Sequence, residues 1–225
     1  MYTFPVTFED ARGSEAATVT YDDGWLTVTL RGVRFEGHDF DALEGPIVEG
    51  RFDYVASAAE PGVGDLTDFV LTAELPIRVR QGGKPSLMTL TAVIEVGHRE
   101  RRFATRLSLG LPTGPVGSDG AAAGFEFGLV AIQRQLAPGC VLECCLSCRH
   151  AHYNPFGNAD FGALTCFRAV KERTREIRDK TTLLTIWEAT PGGHLFNVSE
   201  NYHCREHEFV TRDDWNYSAW EVPGT

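Results

Sequence analysis

Lysine is nearly missing from this chain: Lys84, Lys171 and Lys180 stand alone among 21 basic residues, and 31 acidic residues outnumber them for a net charge of −10. A cut after Ala123 leaves 11 basic and 18 acidic residues before it, and 10 and 13 after it. Neither half has the basic balance of a nucleic-acid-binding module, so general nucleic-acid binding is not expected. An acidic surface suits a basic partner, but it equally suits plain solubility. No run approaches 18 apolar residues, so no helical membrane span is expected. The opening stretch, Met1 to Glu15, lacks a basic region followed by an apolar one. No secretory leader is expected from it, and the cytoplasm is the expected compartment. No glycine-rich loop ends in Gly-Lys-Ser/Thr. Gly82-Gly83-Lys84 runs into Pro85, where a helix would have to begin, and this removes a P-loop.

What is present suits a folded protein. Of 225 residues, 43% are hydrophobic and 23% charged, enough to bury one large core or two small ones. From Thr3 to Leu111, short runs rich in Val, Thr, Leu and Phe alternate with polar residues, which is the period of half-buried strands. The expected strands are Thr18 to Tyr21, Trp25 to Leu30, Val33 to Phe35, Ile47 to Val55, Phe69 to Val79, Leu87 to Val96 and Phe103 to Leu109. Asp22-Asp23-Gly24, between two alternating runs, predicts a tight hairpin whose central residues take positive φ. Pro76 cannot donate to a ladder, so an edge, a bulge or a strand end is expected there. Met88, Leu90, Ala92, Ile94 and Val96 form a wholly apolar face that should meet a core. Evenly spaced short strands predict an antiparallel β-sandwich or open barrel. The stretch 112–124, rich in Gly, Pro and Ala, reads as a linker or loop. The expected division is therefore a β domain over 1–111, the linker, and a second part over 125–225.

The second part holds all six cysteines. Phe125, Leu129, Ile132 and Leu136 have helical spacing, and Ala137-Pro138-Gly139 would stop that helix. Cys140, Cys144, Cys145, Cys148, His150 and His152 follow closely; Cys166, His203, Cys204 and His207 come later. Cys145-Leu146-Ser147-Cys148 lets one tight turn aim two thiolates at one ion, and tetrahedral zinc then needs two ligands from elsewhere. Cys166 and Cys204 are the candidates, with His203 or His207 able to replace Cys204. In extended chain, Cys144 points away from Cys145, and Cys140 is left over. Three readings of the cysteines stand: one structural zinc per chain, buried free thiols, and disulfide or redox chemistry. Thiols clustered in a reducing compartment favour zinc. Iron–sulfur clusters also use four cysteines, but their compact motifs are absent. From Phe167, the residues Val170, Thr174 and Ile177 make a helical stripe beside mixed charges, the pattern of a solvated helix face.

A catalytic metal would need an open coordination position and a placed acid or base. Asp39, Asp41, Glu143, His150 and His152 are the available groups, and no motif joins them. The zinc deaminase pattern fails because no proline precedes Cys145.

The segment from Cys144 to Phe209 resembles a family of uncharacterised bacterial proteins of unknown function. The resemblance rests on Cys144, Cys145, Cys148, Pro155, Gly157, Phe161, Gly162, Leu164, Cys166, Phe167, Arg168, Trp187, Glu200 and Cys204. It implies a sheet-rich N-terminal region, a cysteine knuckle, a tryptophan-bearing helix and a late cysteine. The sequence departs from the resemblance at His203-Cys204-Arg205-Glu206-His207, where a Cys-Pro-x-Phe arrangement would be expected. The resemblance implies no activity, and the accompanying expectation is an accessory or immunity-like role with a protein partner. The expected fold class is thus α+β: an antiparallel sheet domain with a smaller zinc-knuckle-like α/β region packed on it. The expected function is non-enzymatic protein interaction, and the alternative is a metal-dependent enzyme with its site between the two parts.

Overall fold

A computed structural model describes the chain except residues 99–101, 119–123, 156–159, 192 and 224–225. Its main element is one antiparallel sheet curled into a half-barrel. In chain order its strands are β1 (Tyr2–Asp10), β2 (Gly13–Asp22), β3 (Trp25–Leu30), β4 (Val33–Gly37), β5 (Glu44–Pro46), β6 (Asp53–Ala56), β7 (Val63–Thr67), β8 (Phe69–Gln81), β9 (Lys84–Gly97), β10 (Arg102–Leu111) and β11 (Gly114–Gly117). They lie side by side as β11-β10-β9-β8-β1-β2-β3-β4-β5-β7-β6. The helix α1 (Phe125–Gln135) follows, and β12 (Cys140–Leu142) then pairs with the end of β8. A second, three-stranded sheet joins β13 (Ala151–Tyr153), β14 (Leu164–Cys166) and β15 (Phe196–Val198). Two short helices, α2 (Lys171–Thr174) and α3 (Lys180–Glu188), lie between β14 and β15.

The expected alternation holds where it is longest. In β9, Leu90, Ala92, Ile94 and Val96 are buried, while Thr91, Val93 and Glu95 are only partly so. The β2–β3 hairpin closes at Asp22 and Trp25, with Asp23 at φ 48 and Gly24 at φ 87, as a primed two-residue turn requires. Pro76 lies in mid-sheet, at a local edge. β1 pairs with Phe69 to Ala73 of β8 and β12 with Val79 to Gln81, so neither reaches Pro76. Its carbonyl accepts from Asn201 Nδ2 at 3.0 Å. In an antiparallel strand a residue's N and C=O face the same side, so the missing donor is lost on that unpaired side.

Three sequence expectations change. The strand expected over 47–55 is broken: Arg51 N donates to Val48 O at 3.1 Å, Gly50 takes φ 77, and pairing resumes only at Asp53. In its described part, the stretch read as a linker is β11, hairpinned to β10 from Leu111 and Gly114 onward. The helical stripe from Phe167 to Ile177 is a 3-10 turn over Arg168–Val170 and the single turn of α2, and α3 starts afresh with the Asp179 side chain accepting from Thr182 N. Capping by Asp179 resets the helix because it satisfies an end donor where the previous turn has already stopped.

One continuous core joins the two parts. It runs from Phe4, Phe8 and Phe35 of the sheet through Phe125 and Leu129 of α1 to Cys145, Cys148, Tyr153, Phe161 and Trp220. Phe161 marks the join, with its ring centroid 4.7 Å from Phe125, 5.2 Å from Phe40, 5.7 Å from Tyr21 and 6.0 Å from Phe4. Gly162 follows at φ 77 with the Tyr21 ring against it, leaving no room for a Cβ.

Candidate metal centre

The cysteine turn is built by its own backbone. Cys144 is extended, and the chain after it tightens into a 3-10 turn over Cys145–Ser147. Ser147 N donates to Cys144 O and Cys148 N to Cys145 O. Ser147 Oγ locks the corner, lying 2.8 Å from Leu142 O and 3.0 Å from Cys144 O. Cys145 N donates to Tyr202 O at 2.6 Å and Leu146 N to Glu200 O at 3.1 Å, which ties the turn to the segment that leads to Cys204. Cys148 forms a bridge with Phe209. Cys166 ends β14, and the next amide, Phe167 N, donates to His150 O at 2.8 Å.

These ties bring together the chain segments that carry Cys145, Cys148, Cys166 and Cys204. Burial pushes the Cys145 thiol well above its usual range, and the charges of Cys148, Cys166 and Cys204 add to that push. Cys148 is pushed up to about 11 by burial and by Cys166 and Cys204. Cys166 is raised by burial and by Cys204. Buried thiols near one another are costly to deprotonate, a cost that a bound divalent cation would reverse. Among the described residues, no group of three or more His, Cys, Asp or Glu side chains is placed to hold a metal ion. Cys144 lies in the main core with Cys145 and Cys148, its side chain accepting from Ser147 N, and burial pushes its thiol to about 12. Cys140, half-buried on β12, stands apart, and all six thiols are free.

The histidines have other partners. His203 Nε2 is 3.0 Å from Glu143 Oε1, and His207 Nε2 is 3.0 Å from Cys144 O. Cys204, by contrast, lines a cavity of about 140 Å³ with Cys145 and Cys166. Sequence reasoning missed that cavity. Tyr2, Tyr21, Arg168, Tyr202 and Asn197 also line it. Arg168 stood in the quoted cysteine segment, but nothing in the sequence links Tyr2 to residue 204.

The candidate acid–base groups fall in separate places. Asp39 accepts from Phe40 N at 2.8 Å and from Asp160 N, and burial pushes it to about 7. Burial also raises Asp41. Burial raises Glu143 too, but Arg80 and His203 outweigh it and hold the carboxyl below its usual range. His150 shares a 2.8 Å hydrogen bond with Thr174 Oγ1, and burial lowers it. His152 lies between Phe167 and Trp215, lowered to about 4 by burial. None of these five lines the cavity that holds the thiols.

No helix of the described residues is long and apolar enough to cross a membrane. No curated protein and no solved structure matches the chain. A family described only as of unknown function, DUF6304, matches residues 2–151, which covers the half-barrel, α1 and the Cys145–Cys148 turn and stops short of Cys166 and Cys204. With two thirds of its length matched, the chain belongs to that family of unknown function.

Proposed function

We propose that the chain is a non-enzymatic interaction protein of the cytoplasm, with an accessory or immunity-like role, whose C-terminal half is held by one structural zinc ion on Cys145, Cys148, Cys166 and Cys204. The observation that supports the metal reading is that Cys145, Cys166 and Cys204, from three separate chain segments, line one cavity, with Cys148 in the same tight turn as Cys145. An ion bound there would be held tightly because coordination and deprotonation happen together. Four thiolates fill a tetrahedral shell, which suits structure rather than catalysis.

The interaction role is supported by the acidic balance of both halves and by a sheet with a polar outer face. The dispersal of the candidate acids and bases away from the thiols adds to it. Elemental analysis of the purified protein should return about one zinc per chain. Six free thiols, no metal and an intact fold would remove the metal reading. Capture from a native lysate should return a protein partner that salt releases, since screening weakens contacts to an acidic face. Turnover of a small substrate by the zinc-loaded protein would replace this reading with the metal-dependent enzyme.

A further inference from the structure

Two stretches of open edge in the long sheet are treated differently. At β11 the Gln135 side chain of α1 stands in for a further strand: Gly117 N donates to Gln135 Oε1 at 3.4 Å, and Gln135 Nε2 donates to Gly117 O at 2.5 Å. The β8–β9 hairpin has no such stopper. β8 and β9 pair from Phe69 and Val96 out to Gln81 and Lys84, but β10 pairs with β9 only from Leu90 to Gly97. Lys84 to Thr89 overhang, and among the described residues no strand lies on their outer side. The hairpin turns on Gly82 and Gly83, at φ 53 and 80, so Gln81 and Lys84 form the hydrogen-bonded pair that closes a primed two-residue turn. Bonded and non-bonded pairs alternate along an antiparallel ladder. Pro85 and Leu87 therefore turn their main-chain groups away from β8. Pro85 offers a carbonyl alone, Leu87 offers N–H and C=O together, and the Leu87 side chain is 72% exposed.

The charge around this edge is of one kind. Leu87 stands across the strand pair from Arg78, and Pro85 from Arg80. Arg80 is paired with Glu143, while Arg78 meets the His203 ring at 3.0 Å. Among the described residues, neither Arg78 nor Lys84 pairs with a carboxylate. On a chain of net charge −10 this is a local cationic spot. A second copy fits it poorly. It carries the same net charge, and six overhanging residues fall far short of the roughly 1,200 Å² that a stable dimer buries. A short strand needs less area, because ladder hydrogen bonds supply its affinity.

We propose that the overhang from Lys84 to Thr89 is a docking edge for a short, acidic, extended segment of a partner protein, which joins the sheet as a strand beside β9. This rests on the reading of the chain as an interaction protein and names where the partner sits. Leu87 supplies the main-chain bonds and an apolar contact. Lys84 and Arg78 select acidic side chains on the added strand, whatever charge the rest of the partner carries.

The test measures binding of a fluorescein-labelled octapeptide of alternating aspartate and valine to the full-length protein, beside the same peptide with lysine for aspartate. The acidic peptide should bind at least about tenfold more tightly, and added salt should narrow the difference. Leu87→Pro removes the outward N–H at a position like that of Pro85, which the strand already accepts. It should weaken binding by about tenfold with the melting temperature little changed. Lys84→Glu, fully exposed in its effect on the fold, should reduce the preference for the acidic peptide. Equal binding of the two peptides, or binding untouched by both substitutions, would overturn the proposal. So would a dimer in light scattering that Leu87→Pro dissolves, since the edge would then belong to a second copy. A lysate partner held equally by the parent and both variants would leave the interaction reading standing and remove this edge from it. Peptide binding as stated, with no partner captured from lysate, would keep the edge and count against the wider reading.

Discussion

The half-barrel and the cysteine region are stabilised by different means. The sheet has long strands, up to the 14 residues of β9, with every second side chain turned inward. The cysteine region has three-residue strands, 3-10 turns and a private core of four buried residues: Phe167, Ile177, Leu183 and Ile186. Among the described residues, buried polar atoms without a hydrogen-bond partner occur in Glu143, His152 and Asn216 of this region, and in the sheet only at Arg80, while His150 Nε2 lies 3.3 Å from Glu208 Oε1. A sheet of this size can hold itself by apolar burial. A region with so small a core gains from a further constraint, and the zinc site proposed on the thiol quartet would supply one. The two regions nonetheless share one main core, so each leans on the other.

The largest effect should come from the quartet. Cys148→Ser or Cys166→Ser should lower stability by more than about 5 kcal/mol, because structural zinc in small folds is worth on the order of 10 kcal/mol. Soluble yield and the urea midpoint read this out, and a loss no greater than an ordinary core substitution would erase the contrast between the regions. Next is the join. Phe161→Ala should cost about 3–5 kcal/mol while unfolding stays a single transition. Two well-separated transitions, in the variant or in the parent, would show that the shared core does not couple the parts.

The polar flaw of the cysteine region should be repairable. His152→Phe removes two buried nitrogens that lack partners, in an aromatic setting, and should add about 1–2 kcal/mol. Burial lowers His152 from 6.5 to about 4, so the folded state holds the neutral ring. Its contribution is complete above pH 6.5 and is lost as pH falls toward 4. The variant should therefore lose less stability than the parent over that window in thermal melts. A steeper acid decline in the variant would contradict this.

Smaller effects belong to the sheet and to the spare cysteine. Gly24→Ala forces a Cβ into a left-handed turn position against Asn197, and should cost about 1–2 kcal/mol. Cys140→Ser should stay within about 0.5 kcal/mol, as a partly exposed substitution outside the quartet. A large loss there would mean that the quartet was assigned to the wrong thiols.

How much was legible follows from how far apart the interacting residues lie. The β2–β3 hairpin could be read because Asp22-Asp23-Gly24 carries its own turn chemistry within a few residues. The strand expected over 47–55 failed where Gly50 turned the chain, since an apolar run does not reveal whether a partner strand waits beside it. The helical stripe after Phe167 failed because its spacing continues through a break that Asp179 then caps. At the candidate site, the cysteine identities and the Cys145–Cys148 turn were legible. The contributions of Arg168, Tyr2 and Tyr202 to the cavity were not.

The sequence by itself determined the α+β character, the inward faces of the longest strands, the tight hairpin at Asp23-Gly24 and the Cys-x-x-Cys turn, because each depends on neighbours a few residues away. Tertiary structure alone decided that the half-barrel is open rather than a sandwich and that Pro76 falls at a gap between β1 and β12. It also drew His203 to Glu143 and set Cys204, Cys166 and Arg168 around one cavity. These outcomes join residues tens of positions apart, and only the shared burial of both regions around Phe161 fixes which of them meet.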